Sequence, residues 1–296
     1  MRGYFCPLVV HLVHKQSESS GRPHRPLVGR SPFLPSSPSS SFSIRFIDIA
    51  FAFLVYLGTG LFVQLLCEAA RLFGGVAFEP LHHPYSPQVR GWVTLFAITC
   101  NGLARSCYFW FLGREKVEYV FWRLTKPSKQ LFQRGLKDFS FGVLAWLITF
   151  PCVTLIALAV SLSLHYFIHV PGIEQVAVQY LRSVQGYPLL FKMMVVAMVA
   201  LVPVMEEVLF RGLLQNWLLR RLKRLWAILL TALVFALCHF SLSQGWSNIE
   251  LLIPLFFLGA VLGFLYEKKQ SLWAPLGLHM TFNGISIMVL SFTSPA

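Results

Sequence analysis

The stretch LLFKMMVVAMVALVPVMEEVLFRGLLQNWLL, Leu189 to Leu219, decides how the rest of the chain is read. It is a long apolar run, and about 20 apolar residues in a helix rising 1.5 Å each cross roughly 30 Å of hydrocarbon. Its C-terminal half nevertheless carries Glu206, Glu207 and Arg211. Ionisable groups in mid-membrane cost several kcal/mol, so they face a protein interior or a water-filled cavity and mark function. Glu207 and Arg211 stand i, i+4 and can pair on one helix face. Glu206 lies about 100° round the helix, where Arg211 serves it less well. One carboxylate therefore has a structural partner, in what could be a simple buttress, while the other is free for chemistry.

Outward from this run, six more apolar stretches recur: Ile47 to Cys67, Trp92 to Leu112, Phe139 to Ile168, Leu225 to Ser243, Leu251 to Tyr266 and Leu272 to Phe292. The expectation is an all-α, polytopic transmembrane bundle of seven spans, or eight if the third is broken at Pro151. Composition agrees, with 56% hydrophobic and only 12% charged residues in 296, against about 25% charged in a soluble domain. The net charge of +13 could suggest nucleic acid, but its distribution reads as topology. Nineteen Lys and Arg fall in the tail and alternate loops, four in the opposite loops, and Arg105 and Arg211 inside spans. That bias places the N-terminus in the cytoplasm and leaves no nucleic-acid partner. Residues 1–46, rich in Ser, Pro and Arg, read as a disordered tail. Residues 47–188 read as N-terminal spans with a basic loop, and 189–296 as the functional core. The six cysteines include no CxxC pair, which argues against a disulfide framework or zinc knuckle.

Two further polar pairs stand in the core: Phe235 with His239, and His279 with Asn283, each spaced i, i+4. Taken singly, a histidine on an apolar helix is more often a satisfied core residue than a catalyst. Depth counting places Glu206 and His239 roughly 20 Å from the cytoplasmic ends of their helices, with Asn283 and His279 at about 17 and 10 Å, so that tilt lets them meet.

Glu-Glu-x-x-x-Arg, Phe-x-x-x-His and His-x-x-x-Asn, in that order on an all-helical membrane chain, resemble the CPBP family of CAAX proteases and bacteriocin-processing enzymes. The resemblance covers Leu189 to Phe292 and implies a membrane-embedded endopeptidase. It implies that Glu206 and His239 activate water, that His279 and Asn283 stabilise the oxyanion, and that Glu207, Arg211 and Phe235 support the site. The chemistry agrees, since hydrolysis needs a base and a tetrahedral oxyanion needs donors. No His-Glu-x-x-His, Gly-x-Ser-Gly or Gly-x-Gly-Asp is present for the other intramembrane protease types. The expected partners are the bilayer and a membrane-anchored or lipidated substrate, prenylated or not. The expected location is an integral, multi-pass protein of the cell membrane if the source is prokaryotic. No cofactor is expected, although Glu206, His239 and His279 are three ligands of the kind that hold a catalytic zinc. A proton-coupled transporter or a non-enzymatic scaffold is the alternative reading.

Overall fold

The computed structural model describes residues 44–73, 87–112, 114–122, 131–169 and 176–293, so the tail proposed for residues 1–46 lies outside the described residues except at its end. There, Ile44 is buried in the bundle, and Arg45 and Asp48 pair across the helix start. The described residues form helices and no strand. In chain order these are α1 (Phe46–Phe73), α2 (Pro87–Leu112), α3 (Arg114–Trp122), α4 (Leu131–Ile168) and α5 (Val176–Ser183). They are followed by α6 (Pro188–Leu218), α7 (Arg224–Leu237), α8 (Ser247–Lys269) and α9 (Trp273–Thr293).

All seven apolar stretches are helical, but among the described residues five helices, α1, α4, α6, α8 and α9, are long and apolar enough to cross a membrane. This differs from the expected seven or eight for identifiable reasons. The apolar run of α2 is diluted by Arg90, Asn101 and Arg105. In α7 only 14 residues are helical, about 21 Å at 1.5 Å per residue, short of the roughly 30 Å of hydrocarbon. Nor does Pro151 divide the third stretch, because α4 runs unbroken for 38 residues.

The chain leaves α7 just before the expected fifth span ends, and it reverses through Gly245, whose φ of 48° is one that side-chain-bearing residues rarely adopt. Asn248 staples this reversal, accepting from the Ser241 N–H at 2.9 Å and donating to the carbonyls of Ser241 and Gly245 at 2.7 and 2.9 Å. Helix α8 ends on Gln270, left-handed at φ 54°, whose N–H closes on the Tyr266 carbonyl.

Helix α4 packs along α9 and α8. At two points the backbones of α4 and α9 meet directly, since a Cβ on Gly142 would overlap the Ala274 carbonyl and one on Gly277 would overlap the Phe139 carbonyl. In lipid, where apolar burial gives no preference for protein over tails, such close approach is what holds helices together.

Helix α6 is irregular on either side of Glu206 and Glu207. Ala197–Leu201 and Val208–Gln215 are π-helical, and the α-helical turn Val202–Glu207 stands between them. Pro203 lacks an N–H and crowds the preceding turn, and the wider turn just before it accommodates the lost bond. Such bulges gather at functional sites.

Candidate active site

Glu207 and Arg211 are wholly buried, and the Arg211 Nη1 donates to Glu207 Oε1 at 2.7 Å. Arg211 Nη2 donates to the Gly259 carbonyl at 3.1 Å, and the guanidinium stacks 4.6 Å from the centroid of the Phe235 ring. One turn further along each helix, Gln215 repeats the pattern by donating to the Gly263 carbonyl at 2.9 Å. Gly259 and Gly263 let α8 come close enough for its backbone to serve these side chains: a Cβ on Gly259 would sit 3.1 Å from the Phe235 ring, and one on Gly263 2.8 Å from Gln215 Oε1. Sequence reading missed this pair, although the Gly-x-x-x-Gly spacing inside an apolar helix was its signal.

His279, only 3% exposed, holds Glu207 from α9, with its Nδ1 2.8 Å from Glu207 Oε1. Its Nε2 faces Glu206 Oε2 at 3.6 Å. His239 Nε2 faces the other oxygen, Oε1, at 3.7 Å, while His239 Nδ1 lies 2.8 Å from the Phe235 carbonyl. His239 is not on a helix face as expected, because α7 ends at Leu237 and the imidazole sits in the turn just beyond, tied back to α7 by that bond. Its side chain is 29% exposed, whereas those of Glu206 and His279 are 8% and 4% exposed, so His239 is the side by which the cluster meets its surroundings. Phe235 packs edge-on to Phe210 and His279 and tilts against His239, fixing both rings.

The structure thus brings together Glu206, Glu207, Arg211, Phe235, His239 and His279. Asn283, one turn along α9 from His279, donates from Nδ2 to the Met198 carbonyl at 3.0 Å, in the π-helical turn of α6. Among the described residues, no group of three or more His, Cys, Asp or Glu has the arrangement to hold a metal ion.

Protonation follows from the partners. A carbonyl and a carboxylate can only accept, so each Nδ1 carries the hydrogen. A neutral ring then presents a bare Nε2 lone pair to Glu206 from either side. Two lone pairs and a carboxylate facing one another lack donors between them.

Sequence reading also left Arg105 unassigned beyond its place as an interruption of the second span. Its guanidinium is 5% exposed and reaches from α2 to donate to the carbonyl of Met205, the residue before Glu206, at 2.7 Å.

Residues 188–285 match the model of the family described as type II CAAX prenyl endopeptidase Rce1-like, about a third of the chain and the part that holds every site residue expected from the motifs. The chain is also 24% identical, over 168 residues, to the Bacillus subtilis (strain 168) protein named "Putative membrane peptidase YdiL". That alignment covers 56% of this chain and 64% of the relative's length. No solved structure gives a significant match. The resemblance read from the three motifs therefore holds over residues 188–285, and neither description is that of a transporter.

Proposed function

We propose, from the premise that residues 188–285 carry an Rce1-like domain, that the protein is a membrane-embedded endopeptidase hydrolysing a peptide bond through water activated by Glu206. The observation that carries this is the pair of imidazole Nε2 atoms at 3.6 and 3.7 Å from the two oxygens of a buried carboxylate. A water donating one hydrogen to Glu206 and the other to His239 Nε2 is held with its own lone pairs directed outward. Glu206 takes a proton as the water oxygen bonds to the scissile carbonyl carbon. The carbonyl electrons move onto oxygen and return as the C–N bond breaks, and the proton held on Glu206 passes to the leaving amine.

Asn283 and His279 are the proposed oxyanion donors. The His279 Nδ1 hydrogen is committed to Glu207, so its Nε2 serves as a donor only when it too carries a hydrogen. Arg211 and Phe235 hold Glu207 and the rings in place.

The proposed substrate is a membrane-anchored or lipidated peptide of CAAX or leader type, approaching from the side where His239 is exposed. The proposed topology has the N-terminus in the cytoplasm, in keeping with the charge split between alternate loops. The proposed reaction uses no metal. Purified active protein should carry well below one zinc per chain and keep its activity in a strong chelator. Stoichiometric zinc, with activity lost on chelation and restored by adding it back, would refute this part.

The test of the function itself is a comparison of membrane-protein termini in cells making the protein, its Glu206→Gln variant, or neither. A set of new termini that requires the active form is expected. Identical termini in all three, together with Glu206-dependent solute or proton uptake, would favour the transporter reading.

A further inference from the structure

Besides Asp48 and Asp138, the Asp, Glu, Lys and Arg side chains buried among the described residues are Glu206, Glu207, Arg211 and Arg105. Arg211 and Glu207 neutralise each other by direct contact at 2.7 Å. That leaves Glu206, which faces the two imidazoles, and Arg105, which lies in no ion pair among the described residues. An uncompensated charge in a low-dielectric interior costs several kcal/mol, so two opposite ones buried near each other are a shared solution.

The geometry ties them. Arg105 comes from α2, outside the segment that the family model matches. It donates from Nη1 to the Met205 carbonyl, one residue before Glu206, and its guanidinium carbon stacks 4.7 Å from the centroid of the Tyr56 ring of α1. Tyr56 is itself held, since Asn101, one turn before Arg105, donates to the Tyr56 carbonyl at 3.0 Å and to Thr59 Oγ1 at 2.6 Å. Helix α2 lies close against this point of α6, with a Cβ on Gly102 meeting Met205 Sδ at 3.4 Å. Among the described residues, the remaining guanidinium nitrogens, Nε and Nη2, are buried without a hydrogen-bond partner, so no second acceptor holds the charge.

We infer that Arg105 is a positioning residue for Glu206: it fixes the backbone at Met205 and supplies the counter-charge that keeps Glu206 ionised while leaving both carboxylate oxygens to the histidines and water. Electrostatic interaction between Arg105 and Glu206 accords with this. A direct bidentate pair would serve the charge equally well but would occupy the oxygens that the proposed chemistry uses. The inference deepens the proposed hydrolase reading and rests on it for its catalytic consequence, though the coupling of the two charges does not.

The experiment is a double-variant cycle read first without activity. Arg105→Gln, Glu206→Gln and the pair are compared for folded yield in detergent and for a protonated-carboxyl stretch by infrared spectroscopy. Arg105→Gln should lose folded yield and gain a carboxyl band that disappears in the double variant, and the double variant should regain yield. Arg105→Lys, which keeps the charge, should show no such band. If Arg105→Gln misfolds too severely for spectroscopy, the yield of the double variant still decides the matter. Equal loss in both backgrounds, or no band in a folded Arg105→Gln protein, would overturn the inference and leave Arg105 as an anchor of Met205. With a cleavable substrate, Arg105→Gln should lower kcat with KM little changed. Intact coupling alongside cleavage that survives Glu206→Gln would mean instead that the hydrolase assignment fails.

Discussion

Charge is handled in opposite ways at two places in this molecule. At the centre, Glu206, Glu207, Arg211 and Arg105 are almost completely removed from solvent and are matched against one another and against backbone carbonyls. At the end where α4 and α7 begin and α8 finishes, partly exposed cations pair at longer range with carboxylates that are largely buried. Arg134 pairs with Asp138 at 3.8 Å and donates to the Lys269 carbonyl at 3.0 Å, and Lys269 reaches Asp138 at 3.5 Å. Arg224 faces Glu267 at 3.9 Å. Several of these cations lie over aromatic rings, Lys269 at 3.9 Å from the centroid of Phe141 and Arg221 at 4.0 Å from that of Trp217. The lesson is about dielectric. The basic end tolerates longer pairs because its cations reach water and headgroups, and it fits the interfacial belt of a membrane protein. The central cluster has no such help, so each group there is placed by a specific partner.

The sharpest way to break the comparison is to remove one partner from the centre. Glu207→Gln leaves Arg211 without its counter-charge, with only an amide oxygen for Arg211 and His279 to share, and it should cost about 3 to 5 kcal/mol of stability. The check is thermal unfolding in detergent and the folded fraction on size exclusion. A variant as stable as the parent would show that the centre is screened like the rim.

A smaller effect, independent of charge, is expected where the backbones of α4 and α9 meet. Gly142→Ala or Gly277→Ala forces the helices apart and should cost roughly 1 to 3 kcal/mol by the same measurement, with cleavage falling because α9 carries His279. Unchanged stability in both would contradict the close approach.

The smallest effects belong to the basic end. Arg224→Gln removes a 3.9 Å pair whose arginine is more than half exposed and should cost no more than about 1 kcal/mol, with cleavage preserved. Reporter fusions after Arg224 and Lys269 should mark one side of the membrane and a fusion after Trp246 the other. A fusion on the wrong side would break the orientation drawn from the loops.

How far the sequence foretold this is visible residue by residue. The Glu207 and Arg211 pair was legible because it is local, set by a four-residue spacing on one helix. So was the approach of His239 and His279 to Glu206, though only through three motifs taken together. The bonds that orient those rings, to Glu207 and to the Phe235 carbonyl, were not legible, because they depend on how α6, α7 and α9 pack. The span count was not settled where hydropathy is ambiguous: α2 is helical but carries Arg90, Asn101 and Arg105, and the helix of α7 ends before the Gly245 reversal. Arg105 was seen only as an interruption, since its meaning lies in a contact 100 residues away in sequence.

The central claim is that Glu206 performs the chemistry while Glu207 holds the structure, and one measurement separates them. Glu206→Gln and the parent protein are reconstituted at equal folded amounts in vesicles with a membrane-anchored peptide identified from the cell-wide comparison of termini, and the cleavage rate is followed. Equal folded amounts separate catalysis from the loss of yield that Glu206→Gln suffers by leaving Arg105 unmatched, and the variant should lose cleavage by about 10²-fold or more, as expected when a general base is removed. Cleavage by a stable Glu206→Gln protein at a rate near that of the parent would contradict the account.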